Sequence, residues 1–159
     1  MVQISGSIII HDYIVSQWSY VNDSKNFDNM RSASRSIRNN LSGDCDDFAI
    51  LIAALIESIG GRTRISFAYN TTTGKAHAFT EVYVTTDPEY FQDIVNIICE
   101  NYWPNEFSIH YTIDTEGHYW LNLDWFGNPQ HPGGEYYEYT YRTIYYTTEN
   151  PPYYLTENK

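Results

Sequence analysis

Apolar and polar positions alternate in three different ways along this chain, and each spacing predicts a different element. From Phe48 to Ile59 apolar residues occupy almost the whole circumference of a helix, and Gly60-Gly61 end the run. A helix apolar on every side is buried on every side, so this segment is predicted to be central. Asp44 precedes it as the expected N-cap, with Asp47 three residues on in the capping-box position, both carboxylates serving free backbone N–H groups. Glycine after the last apolar residue is the usual stop signal. Residues 62–69 (RTRISFAY) and 77–84 (HAFTEVYV) are predicted strands joined by the polar turn NTTTGK. Residues 86–103 read as a second helix, with Asp87 capping, Pro88 at the first position, and Phe91, Ile94, Val95 and Ile98 on one face. Residues 106–113, the turn DTEG and residues 118–125 form an expected hairpin, and one more strand follows the turn that begins at Asn128. Residues 147–159 are a Pro-containing C-terminal tail. Before the central helix, residues 8–21 predict a helix running into an extended segment near Trp18–Val21, and residues 28–40 a polar helix with three arginines. Helices first and an antiparallel sheet afterwards make the expected class α+β.

Composition narrows the choice of partners. With 159 residues the chain supports one core, so residues 1–159 are expected to form a single domain. A formal net charge of −11 and only three lysines leave no basic patch for nucleic acid or an anionic membrane. Sixteen tyrosines favour half-buried strand faces. The N-terminus lacks a basic region and a long apolar run, so the chain as written reads as cytoplasmic; as a piece of a longer parent it reads equally as extracellular or periplasmic. Two cysteines, Cys45 and Cys99, define no disulfide framework.

The stretch GDCDD places Cys45 among Asp44, Asp46 and Asp47 at the mouth of the central helix. A nucleophilic thiol needs a favourable field, a base and an orienter for that base. The helix terminus supplies part of the first, on the order of 0.3–1 kcal/mol, and N–H donors for an oxyanion. His77, at the start of a strand, can supply the base, and Asp124, at the end of another, can hold its second nitrogen. His11, His110, His118 and His131 read as ordinary structural histidines. No second Cys or His lies at ligand spacing to Cys45, so zinc finds little support.

The words GDCDDFAILIAALIESIGGRTRI, HAFTEVYV and WLNLDW followed by HPGG resemble, in that order, the transglutaminase-like superfamily. These are relatives of papain whose catalytic cysteine opens a helix and whose histidine and aspartate lie on neighbouring strands. The resemblance spans about residues 8–134 and is strongest over 42–84. It implies a papain-like core, with Cys45 as nucleophile, His77 as general base and acid, and Asp124 as orienting carboxylate. Residues 85–117 are longer than the family pattern and read as an insertion, which leaves Asp114 and Asn122 as alternatives to Asp124. Members often bind the oxyanion with an upstream side chain; Trp18 is preferred here over Gln17 and Tyr20 for its indole donor. The implied activity is acyl transfer through a thioester on a protein or peptide substrate, with water as acceptor in a cysteine protease or amidase. The alternatives are a transglutaminase and a non-catalytic interaction module. Some bacterial members of this style depend on calcium, for which Asp44 and Asp46 are the candidate ligands; capping with no cofactor is the preferred reading. Oligomeric state is not legible.

Overall fold

The structure, a computed structural model, describes residues 2–23, 30–102, 108–125, 131–148 and 153–158. Residues 28–29 of the expected polar helix, Trp103, residues 106–107 of the expected hairpin and residues 128–130 of the expected turn lie outside the described residues.

Helix α3 (Cys45–Ser58) is the predicted central helix, and Phe48, Ala49, Leu51, Ile52, Ala53 and Ile56 are all buried. It ends where Gly60 takes φ +84°, a left-handed conformation that costs glycine nothing, and the Gly60 and Gly61 N–H groups close onto the carbonyls of Glu57 and Ile56. Helix α1 (Val2–Gln17) presents Ile4, Ser7, His11 and Ile14 as its fully buried stripe, and α2 (Ala33–Arg38) is a short polar turn of helix within the predicted 28–40 segment. Strands β1 (Ser19–Tyr20) and β2 (Ser42–Gly43) form a two-residue parallel clasp between the chain leaving α1 and the chain entering α3.

The main sheet has six strands: β3 (Thr63–Asn70), β4 (Lys75–Thr85), β5 (Tyr111–Ile113), β6 (Tyr119–Asn122), β7 (Tyr141–Tyr146) and β8 (Tyr153–Asn158). Their order is β5-β6-β4-β3-β7-β8, with every neighbouring pair antiparallel. Between β4 and β5, helix α4 (Pro88–Tyr102) starts with Asp87 accepting from the N–H of Glu89 at 2.9 Å. Its buried face is Phe91, Ile94 and Ile98, as its spacing predicts, with Val95 partly buried. Strand β8 lies within the segment read as a tail. A peripheral strand held by backbone bonds to β7 needs little apolar patterning of its own, which is why the sequence marks it poorly.

Alanines let α3 approach the sheet closely. Ala49 and Ala53 pack on Ile65 and Ala78, and the Thr80 hydroxyl donates to the Ala49 carbonyl at 2.7 Å. Elsewhere in the sheet, Glu81 is fully buried. Its carboxylate accepts from Arg64 Nε at 2.7 Å, Arg142 Nη1 at 3.2 Å, Thr112 Oγ1 at 2.8 Å and the Tyr136 hydroxyl at 2.5 Å. Burial alone would raise its pKa, but the two guanidiniums outweigh that and hold it below the usual carboxylate value. The Arg64 guanidinium also lies over the Trp120 ring, 4.4 Å from its centroid. Among the described residues no helix is long and apolar enough to cross a membrane.

Removing the carboxylate leaves two buried guanidiniums facing each other. Glu81→Ala is expected to destabilise the fold by about 3–5 kcal/mol, the usual cost of orphaning a buried charge. Urea unfolding followed by circular dichroism measures it, and a loss under about 1 kcal/mol would show the cluster to be dispensable.

Candidate active site

The chain approaches α3 through Asn40 and Leu41, at φ +56° and +54°, a region that non-glycine residues enter at a cost. The clasp then holds it: the Ser19 N–H bonds to the Leu41 carbonyl at 2.9 Å and the Val21 N–H to the Gly43 carbonyl at 2.8 Å. A side chain at Gly43 would collide with Asp47, whose atoms lie 2.3–2.8 Å from where its Cβ would be. Cys45 is thus set as the first residue of a rigid, buried helix.

The acidic residues act as expected only in part. Asp44 has the extended backbone of an N-cap, but its side chain makes no capping bond. Asp47 keeps the box-like contact, its carboxylate accepting from the backbone N–H of Asp44, and also binds Arg31, accepting its backbone N–H at 2.8 Å and pairing with Nη1 at 3.0 Å. Asp46 is buried, and Oδ1 of Asp44 and of Asp46 are enclosed without a donor. The three carboxylates converge, with one oxygen from each within 4.8 Å of the others. Burial, then the hydrogen bond and charge of Asp44, push Asp46 up to about 8. The expectation that Asp44 caps the helix through its side chain is therefore corrected: its carboxylate converges with that of Asp46 instead.

His77, in β4, pairs across the sheet with Ala68, and Asp124 lies just beyond β6. His77 Nε2 is 2.6 Å from Asp124 Oδ2, and both side chains are buried. The imidazole also hydrogen-bonds the Cys45 sulfur; with Nε2 committed to the carboxylate, Nδ1 is the nitrogen left for it. Burial would lower the His77 pKa, but the bonds to Asp124 and Cys45 overcome it and raise it to about 9. Tyr137, which the sequence did not single out, covers the imidazole with ring centroids 5.0 Å apart.

The alternatives to Asp124 are engaged elsewhere. Asp114 accepts from Trp120 Nε1 at 2.9 Å, from His118 Nδ1 at 3.0 Å and from the Glu116 N–H at 3.0 Å. Burial opposes its ionisation, yet these donors, Trp120 foremost, hold it at about 2. Asn122 donates to the Gly134 carbonyl at 2.9 Å.

Among the upstream side chains, Trp18 packs edge-on against Phe48, and its indole N–H is enclosed without a partner. Gln17 bonds to Ser16 at the surface. Tyr20, stacked on Trp125 at 4.8 Å, carries the hydroxyl that senses this site: burial, then the charges of Cys45, Asp44 and Asp46, raise its pKa. A cleft of about 640 Å³ opens beside Cys45 and His77, walled by Ile65, Phe67, Ala76, Ala78 and Tyr145.

The fold resembles three solved structures of LapG from Legionella pneumophila. The calcium-bound form has a TM-score of 0.51 at 18% identity, covering 87% of this chain and 64% of that one. A second LapG structure gives 0.54 at 17%, covering 92% and 66%, and the EGTA-treated form 0.50 at 16%, covering 99% and 72%. The chain thus spans just under two thirds of the length of the first two, and at these identities the likeness concerns the fold. No curated protein matches the sequence. The family model of the transglutaminase-like superfamily matches residues 5–124, from α1 through Asp124 and over three quarters of the chain. With α3, β4 and β6 all inside that match, this chain belongs to the transglutaminase-like superfamily.

Proposed function

We propose that the protein is a cysteine protease or amidase acting through a thioester on Cys45. The observation that carries this reading is the buried 2.6 Å His77–Asp124 bond, with the Cys45 sulfur hydrogen-bonded to the same imidazole. His77 takes the thiol proton, and the sulfur attacks the carbonyl carbon of an amide in the cleft. The negative oxygen is met by free N–H groups at the start of α3 and by the Tyr20 hydroxyl. The carbon–nitrogen bond breaks as Nδ1 of His77 gives its proton to the departing amine, leaving a thioester. Water, deprotonated by the same nitrogen, attacks the thioester; the carbon–sulfur bond breaks, releasing acid and restoring the cysteine. Asp124 keeps the proton on Nε2 and stabilises the imidazolium throughout.

Asp44 and Asp46 would hold a calcium ion. Their enclosed Oδ1 atoms without donors, converging in one place, fit a hard, oxygen-seeking cation. Bound there, calcium supplies the positive charge that offsets carboxylate repulsion beside the thiol. LapG, similar in fold, exists as calcium-bound and EGTA-treated structures.

Cys45→Ala is expected to abolish peptide cleavage while leaving cooperative unfolding intact, read by a fluorogenic peptide library and thermal melting. Full turnover in that variant would remove Cys45 from the mechanism. Acid product without amine adduct, when a primary amine is added, is the outcome for a hydrolase; an adduct marks a transferase. Tyr20→Phe is expected to slow acylation by about 10²-fold with little change in melting.

His77 binds its proton more tightly folded, at about 9, than unfolded, at about 6.5. Its stabilising contribution is complete below about 6.5 and lost as pH rises through about 9. Activity is expected to fall over the same alkaline range as the imidazolium disappears. An alkaline limb near pH 7 would contradict this pairing. Calcium is expected to raise the melting temperature and EGTA to reverse the rise, with the response weakened in Asp46→Asn. An unchanged melt in excess calcium would leave the acidic cluster without a metal.

A further inference from the structure

The buried stripe of α1 places His11 between Ile4 and Ile14, where packing alone would call for an apolar side chain. His11 is fully enclosed, and an enclosed imidazole carries a cost unless its polar atoms are engaged. Its Nε2 lies 3.1 Å from the backbone carbonyl oxygen of Asp124. A carbonyl only accepts, so Nε2 must carry the proton and donate. Nδ1 faces Asp12 Oδ1 at 3.4 Å, and the Tyr102 hydroxyl donates to the other oxygen of Asp12.

The carbonyl that receives this bond stands outside the sheet. Strand β6 ends at Asn122, and the last ladder-like bond of that segment runs from the Leu123 N–H to the Thr80 carbonyl at 2.9 Å. Beyond it, the Asp124 N–H bonds to Asn122 Oδ1 at 3.3 Å and the Asp124 carbonyl to His11. The backbone of Asp124 is therefore held by two side chains, one of them from a helix more than a hundred residues earlier. Its carboxylate must meet His77 within a few tenths of an ångström to keep a short bond, and a peptide unit free to rotate would move it.

We propose that His11 is a positioning residue: its Nε2–H anchors the peptide carbonyl of Asp124 and so holds the Asp124 carboxylate on His77. The bond ties α1 to the site directly, and disturbing it loosens the histidine's orienter without touching substrate. This role rests on the thiol-enzyme reading only in its catalytic consequence; the anchoring of Asp124 to His77 stands or falls separately.

The test compares His11→Leu, His11→Gln and His11→Asn at one fixed calcium concentration. Glutamine carries an amide donor at the reach of Nε2, asparagine a shorter one, and leucine none. The primary readout is the titration of the His77 imidazole by NMR, independent of any substrate. His11→Leu is expected to move its midpoint down towards the ordinary value of about 6.5, and His11→Gln to stay with the parent. With a cleaved peptide, kcat should fall about 10-fold or more in His11→Leu with KM little changed, and recover in His11→Gln. If leucine prevents folding, a parent-like His11→Gln beside a shifted His11→Asn carries the proposal. It is overturned if the folded leucine variant titrates like the parent, or if glutamine and asparagine behave alike. Should the parent cleave nothing, the proposed activity fails, and the His77 titration still decides the role of His11.

Discussion

The hydrogen bond between His77 and Asp124 is the contact on which the proposed chemistry of this molecule depends, because it fixes two things at once. It commits Nε2 to the carboxylate, leaving Nδ1 for the thiol, and it makes a buried imidazolium tolerable. Neither partner could be buried alone without a large desolvation cost. The fold meets that requirement with separate elements: β4 presents the histidine, the end of β6 the aspartate, and α3 the cysteine. Tyr137 shields the imidazole, and His11 and Asn122 hold the backbone of Asp124.

The acidic residues around Cys45 are in tension with a thiolate, and the structure divides them by task. Asp47 is spent on Arg31, which stitches the segment before α2 to the helix terminus. Asp44 and Asp46 remain as converging carboxylates, with Asp46 pushed up to about 8 by burial and its neighbours. A proton relieves that repulsion in part; a divalent cation relieves it more fully, and also adds a favourable field beside the sulfur. The same cluster that looks hostile to a nucleophile is thus a place where a cation can act on it.

Much of this was legible in the residues because local and tertiary demands agreed. The all-round apolar run at 48–59 could only be a central helix, and the strand–turn–strand at 62–84 carried its own turn chemistry. What escaped was set by distant partners. Strand β8 exists because β7 offers it an edge, not because its own residues demand it. Asp47 keeps its place in the capping pattern, but the Asp44 side chain leaves it to converge with Asp46. Tyr20, stacked on Trp125 beside the site, was not preferred, because nothing local marks its nearness to Cys45. His11 could have been suspected from its place in an apolar stripe, although nothing local names the carbonyl it binds.

The central claim is that Cys45 is reactive because of its setting, and the chain carries its own control. Cys45 and Cys99 are both free and both partly exposed, so access alone does not separate them. The difference is the imidazole hydrogen-bonded to Cys45. Intact-mass and peptide mapping after a brief, limiting exposure to an activated acyl ester at neutral pH tests this directly. The account predicts a single acyl group on Cys45, discharged by hydroxylamine, with Cys99 unmodified and the adduct lost in His77→Ala. Equal acylation of Cys45 and Cys99, unchanged by that substitution, would contradict it.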